Sequence, residues 1–440
     1  GSFSIDAGAT LRITADYNFN TGTNITGVGN FVVGEYATVK IIPAFNYSGA
    51  VSVNYGGNLD IGAASTWSAP VNLIGGLTGT GALTISNQLN WSGGGLSGTG
   101  KKTVSGTLNC GTLDWGSNLI IDGTTLETSG ATVLTGGTTF YAYNGAIWNN
   151  TSTGTIDLQK DSIFSQQSGN QSIFNNAGTF TKSNGTTFAD FAGFVFNNTG
   201  TVQVKAGTLS LGGGGTNTGS FSIDAGGTLR IIADYNFNTG NSVTGAGNFN
   251  IESGTTTVNV DSTWSAPVNL TGGNLTGTGA LTISNKLNWS GGTLSGTGKK
   301  TVTGILNLSG EGYLGGTTLE TSGATIWTGS SLYAGDGAIW NNTSTGTIDL
   351  QNDADFQWFW WNQTQATFNN AGTFTKSNGT TTDESYINGF FNNTGTVQVK
   401  AGTLRLAGGG TNTGSFSIDA GATLRITADY NFNTGTNITG

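Results

Sequence analysis

Between Asn198 and Ile231 the chain writes one design twice, NTGTVQVKAGTLSLGGGG and then TNTGSFSIDAGGTLRII. Val202 and Val204 share one side of a short strand, the chain turns at Lys205-Ala206-Gly207, and Leu209 and Leu211 lie on the same side of the next strand. The second block answers with Phe221 and Ile223, a turn at Asp224-Ala225-Gly226, then Leu229 and Ile231. Apolar residues at every second position mark strands with one buried face. A two-strand block of this size cannot cover that face alone, so it must stack on copies of itself. The expected fold is all-β, a right-handed parallel β-helix (β-solenoid). If Val202 lies under Phe221, Lys205 lies under Asp224 and Lys400 under Asp419, opposite charges that would report register more than stability.

Two periods organise the chain. The segment Gly414 to Gly440 is identical to Gly1 through Gly27, and a variant begins at Gly219. Because residue 414 repeats residue 1, the long unit is 413 residues, with halves 1–218 and 219–413, and 414–440 as the start of the next unit. Within each half a G-x-x-x-x strand signal recurs at Gly29, Gly81, Gly100, Gly123, Gly154, Gly178, Gly200 and Gly219, then at Gly247, Gly279, Gly298, Gly316, Gly346, Gly372, Gly395 and Gly414. Gly29 to Gly81 spans 52 residues but Gly247 to Gly279 only 32. The surplus, near Tyr36 to Tyr55, has its own alternating runs and reads as one extra rung, an insertion that a quasi-one-dimensional stack tolerates. About twenty rungs at about 4.8 Å would make a rod about 90–100 Å long. Both of its ends look like interior rungs, which implies continuation in a longer repeat chain or end-to-end association of copies.

An aromatic followed by two asparagines recurs at Trp148, Phe174 and Phe196, and again at Trp340, Phe368 and Phe391. Stacked rungs would align Asn149, Asn175 and Asn197, and likewise Asn341, Asn369 and Asn392, into amide ladders at the corners. The NNT and NGT strings also match the N-glycosylation pattern, but their fixed place at strand entry favours ladders.

Composition narrows the function. Gly is 75 of 440 residues, charged residues are 9% against about 25% in an ordinary globular chain, and His and Met are absent. The 24 acidic and 15 basic residues, net −9, lack the clustered cations that nucleic acid or an anionic membrane requires. No apolar run is long enough to span a bilayer. The sequence opens Gly-Ser-Phe-Ser-Ile, without a start methionine or signal peptide, as expected for a processed or excised chain or a window on a longer one. The single cysteine, Cys110, matches Leu308 in the other half and reads as a small inward hydrophobe, with a reactive thiol or intermolecular disulfide as the alternative.

Candidate chemistry is sparse. Asp349, Asp353 and Asp355 form the densest acidic group, but no Arg or His accompanies them, and Ile163 stands near the third position in the first half. A solvated turn is the simpler reading than a catalytic or calcium site. No calcium repeat, phosphate loop, zinc spacing or His-dependent triad is present, and no cofactor is expected. Trp358, Phe359, Trp360 and Trp361 stand where the first half has Ser165-Gln166-Gln167-Ser168, either as an exposed contact surface or as local packing. Trp67 matches Trp264, and Trp91 matches Trp289, and these pairs read as scaffold. Threonine arrays for ice binding would need a more constant rung length than these spacings allow.

The strings LTGTGALTIS, LSGTGKKTV and NNTGTVQVKAGTLSL resemble the repeats of large secreted bacterial surface proteins, the filamentous-haemagglutinin-like and autotransporter-passenger β-helix adhesins. That resemblance implies an extracellular or cell-surface protein used in surface structure, adhesion or biofilm. The leading expectation is a non-enzymatic structural fibre, filament or sheath. The alternative is an adhesin whose shaft binds glycans, surfaces or neighbouring rods through exposed aromatic patches. A carbohydrate-active enzyme comes third.

Overall fold

The computed structural model describes residues 1–111, 118–358, 364–380 and 383–440. These hold 62 strands and no helix, so none is long and apolar enough to cross a membrane. At three strands per rung they make a parallel β-solenoid of about 21 rungs. Two compact units divide it, Gly1–Leu229 and Arg230–Gly440.

Within the first unit, strands of successive rungs pair in parallel and in register. One column runs through Val71–Leu73, Gln88–Trp91, Thr107–Cys110, Ala131–Leu134, Thr155–Leu158, Thr179–Lys182, Thr201–Val204 and Ser220–Ile223. Val202 stands opposite Phe221. The second unit repeats the arrangement, for example in Ala324–Trp327, Thr347–Leu350, Thr373–Lys376, Thr396–Val399 and Ser415–Ile418. Alternation gives each strand an inward row, and most inward residues are Val, Ile, Leu, Phe or Trp with almost no exposed surface, interrupted by buried Asn, Thr, Ser and Lys. In the first unit Phe140, Phe164 and Phe191 stack face to face through three rungs, with centroids 4.8 and 4.3 Å apart.

The recurring glycine has a steric cause. At Gly178, Gly200 and Gly219 a β-carbon would strike the carbonyl oxygen of the corner glycine one rung earlier, that of Gly154, Gly178 and Gly200 respectively. The series Gly372, Gly395 and Gly414 does the same in the second unit. The chain closes at that corner only where no side chain intervenes.

Between Asn30–Val33 and Val71–Leu73 the first unit places Val51–Val53, which pairs with both. Thr38–Ile41 pairs with Asn58–Ile61, and Tyr47 bridges to Trp67. In the second unit the matching strands Asn248–Ile251 and Val268–Leu270 pair directly. The first unit therefore holds one complete additional rung. Its corner charges do not behave as the register implied, since Lys205 and Asp224 make no ion pair, nor do Lys400 and Asp419. Both pairs lie on exposed corners beyond the last paired residues, where water solvates each charge separately.

Candidate functional site

The Asn ladders form, and each Asn pair carries two of them. Inward, Asn150 donates from Nδ2 to Asn176 Oδ1 at 2.7 Å, Asn176 to Asn198 at 2.8 Å and Asn198 to Asn217 at 2.7 Å. The same amides reach backbone carbonyls, as Asn176 does at Gly178 and Thr201. Outward, the sense reverses: Asn175 donates back to Asn149 at 2.9 Å and Asn197 back to Asn175 at 3.0 Å. The second unit has an inner row Asn342, Asn370, Asn393 and Asn412, and an outer row in which Asn369 donates to Asn341 and Asn392 to Asn369. The outer asparagines are half-buried and the inner ones fully buried. Sequence reasoning named the outer row and missed the inner, although parity gives it: if Trp148 points inward, so does Asn150.

The acidic group resolves into parts with separate partners. Asp353 pairs with Lys376 Nζ at 2.8 Å, and its second oxygen accepts from the Thr380 amide at 2.8 Å and hydroxyl at 3.1 Å. The Lys376 side chain is fully buried and also donates to the carbonyls of Asn352 and Asn378 and to Ser385 Oγ. Asp161 and Lys182, 2.6 Å apart, build the same corner in the first unit with Thr187. Partial burial pushes the Asp161 carboxyl up, but hydrogen bonds from Lys182 and Thr187 and the lysine charge outweigh it and hold the pKa at about 2. Asp353 is lowered by the same balance, burial opposing and Lys376 with Thr380 prevailing. Asp355, by contrast, is raised, first by burial and further by the Asp353 charge. It accepts from the Tyr386 amide and Gln357. Asp349 lies on the outward face and accepts from Gln351. Among the described residues no three acidic, His or Cys side chains gather as a metal site. The simple solvated-turn expectation is thus corrected at Asp353: its carboxylate is spent on a buried lysine that the sequence reading did not single out. The repeated string TFTKSNGTT, with Lys in inward parity to Phe, was the available signal.

Two further lysines lie inside. Lys102 and Lys300 sit between leucines in their columns, Leu83 and Leu126, and Leu281 and Leu319. Their ammonium groups reach corner carbonyls, Gly100 for Lys102 and Gly298 for Lys300. Burial lowers both to about 8, against the weaker pull of Asp60 on Lys102. Between pH 8 and 10 the unfolded chain holds protons that these native lysines have released, so their contribution to stability is expected to rise with pH across that window, opposed in part by the buried Cys110 thiol, which keeps its proton when folded. Denaturant midpoints at pH 8 and pH 10 check this, and Lys102→Met with Lys300→Met should flatten the slope.

Of the aromatic cluster, Trp358 lies at the end of strand Asp355–Trp358, half-buried, with its indole N–H donating to the Thr364 carbonyl at 3.1 Å. Phe359, Trp360 and Trp361 lie outside the described residues. Trp67, Trp91, Trp264 and Trp289 are fully buried, and each indole N–H is bonded. Cys110 is buried between Trp91 and Leu134 in its column, and burial pushes its thiol far up, which suppresses thiolate chemistry. No protein-family profile, curated protein or solved structure matches this chain.

Proposed function

We propose that the chain is a non-enzymatic structural protein, a β-solenoid segment of an extracellular fibre or sheath on a bacterial surface, extended by stacking rung on rung. The observation that carries this reading is the uninterrupted stack within each unit. Successive rungs pair in parallel and in register, as Thr179–Lys182, Thr201–Val204 and Ser220–Ile223 do in the first and Thr373–Lys376, Thr396–Val399 and Ser415–Ile418 in the second. Inner asparagine rows tie rung to rung at the corners. Each rung presents the next with paired strand edges and a buried apolar row, a geometry that further rungs extend without change. Continuation of the repeat in one longer chain or stacking of separate copies would extend the same sheets.

Negative-stain microscopy of the purified chain is the test. Filaments are expected, with an axial repeat of one 440-residue chain, and Leu11→Lys with Leu424→Lys should disperse them. Single particles at every concentration, or turnover of a polysaccharide that vanishes in Asp353→Ala, would defeat the reading.

A further inference from the structure

The additional rung of the first unit alters the surface as well as the length. It opens with Tyr36, and Tyr55 lies on the corner where it passes to the next rung. Tyr36 is 75% and Tyr55 55% exposed, and their rings meet edge to face at 6.1 Å and 89°. Tyr36 adopts φ 60°, a left-handed conformation that among the described non-glycine residues only Asn144 and Asp336 share. A bulky aromatic is seldom held this way. Its ring lies against the bare backbone of Gly56, where a β-carbon would fall 2.6 Å from Cδ1.

The two rings border a groove of about 440 Å³. Its floor climbs in register from the Tyr36 rung to Asn58, Gly76 and Gly95, four successive rungs or about 14 Å at the interstrand spacing. Among the described residues, none of those lining the groove is charged, on a chain of net charge −9. Asn58 lies over Gly76, whose β-carbon would stand 2.5 Å from its Oδ1. The Asn58 carboxamide has no hydrogen-bond partner among the described residues and remains open to solvent. The second unit supplies a contrast. Between Ile251 and Thr256 the corresponding corner reads Glu252-Ser253-Gly254-Thr255, with no aromatic, and Glu252 binds Arg230 at 2.7 Å.

We infer that this groove binds a neutral polysaccharide chain lying along the solenoid axis. The tyrosine rings offer flat apolar faces with polar tips, suited to the C–H faces and hydroxyls of pyranose rings. The unused Asn58 amide supplies a donor and an acceptor for a hydroxyl. The uncharged lining gives a cation no carboxylate and an anionic polymer no counter-charge, while the chain's acidic excess repels the latter. The site does not depend on the fibre reading, because filaments and saccharide binding are scored separately, the latter on protein dispersed by Leu424→Lys.

Affinity electrophoresis of the 440-residue chain through gels containing laminarin, amylose or hydroxyethylcellulose, with alginate as the anionic control, tests the inference. Retardation is expected in at least one neutral gel, insensitive to salt. Tyr36→Gly, which suits the left-handed backbone, and Tyr55→Ser should each weaken it at least about tenfold, and Tyr55→Phe should retain it. Circular dichroism confirms that each variant folds, and Tyr55→Ser decides the matter should Tyr36→Gly unfold. No retardation in any neutral gel, equal retardation of the Tyr36→Gly/Tyr55→Ser variant, or retardation by alginate alone would overturn it.

Discussion

Asp353→Ala is expected to destabilise the second unit by about 3–5 kcal/mol, because it strands the fully buried Lys376 ammonium without its counter-charge. Lys376 keeps its bonds to Asn352, Asn378 and Ser385, which places the cost toward the lower end of that range. Asp161→Ala should act alike in the first unit, and adding Lys376→Met to Asp353→Ala should recover much of the loss, since the desolvation of an unpaired charge is then removed. Hydrogen exchange is the suitable readout, because a stacked array opens locally and one global midpoint would mix the rungs. The pH dependence follows from the direction of the shifts. An unfolded aspartate titrates near 3.9, whereas Asp161 is held at about 2 and Asp353 is likewise lowered. The folded state binds fewer protons, so this contribution is fully present above about pH 4 and disappears as pH falls toward 2. Protection around Ser183 and Ser377 should fade over that interval.

Asn176→Ala is expected to cost about 3 kcal/mol, since it removes the acceptor of Asn150, the donor to Asn198 and the cap on the Thr201 carbonyl in one step. The three asparagines are fully buried and the Thr201 carbonyl is partly so, so water cannot replace the lost amide in the row without entering the corner. Asn175→Ala, one residue away on the half-exposed outer row, should cost less than about 1 kcal/mol because water substitutes. The contrast between neighbours checks that the inner row, and not asparagine content as such, holds the corners closed. Equal losses at the two positions would contradict this.

Much of the scaffold was legible because period-two alternation is a local signal and rung length fixes which residues meet. Val202 over Phe221 follows from those two facts alone. Parity within a strand also places Asn150, Lys182 and Lys376 inside, yet charge is a strong prior against burial, and it concealed both lysines. Their partners Asp161 and Asp353 come from the preceding rung, more than twenty positions away, where alternation says nothing about corner conformation. The pairing of Lys205 with Asp224 failed for a related reason: register extends one residue past the strand, but side-chain direction on an exposed corner does not. The Tyr36 and Tyr55 groove was hidden because it depends on how glycine corners of four rungs line up, a property of the stack and not of any one segment. The Trp358 cluster attracted attention by composition, and the described part of it, the Trp358 indole, is bonded locally to Thr364.

The supernumerary winding between Val33 and Asn54 leaves the strands before and after it in step, since Val33 stands opposite Val53 and Val53 opposite Leu73. A polymer of this kind can gain or lose length only in whole increments, each of which restores the angular position of everything beyond it. Duplication or loss of such an increment would shift distal features along the axis while keeping them on the same side, and it adds fresh outward positions that no existing contact constrains. New recognition chemistry could therefore arise in the added increment without compromising the chain's ability to fold.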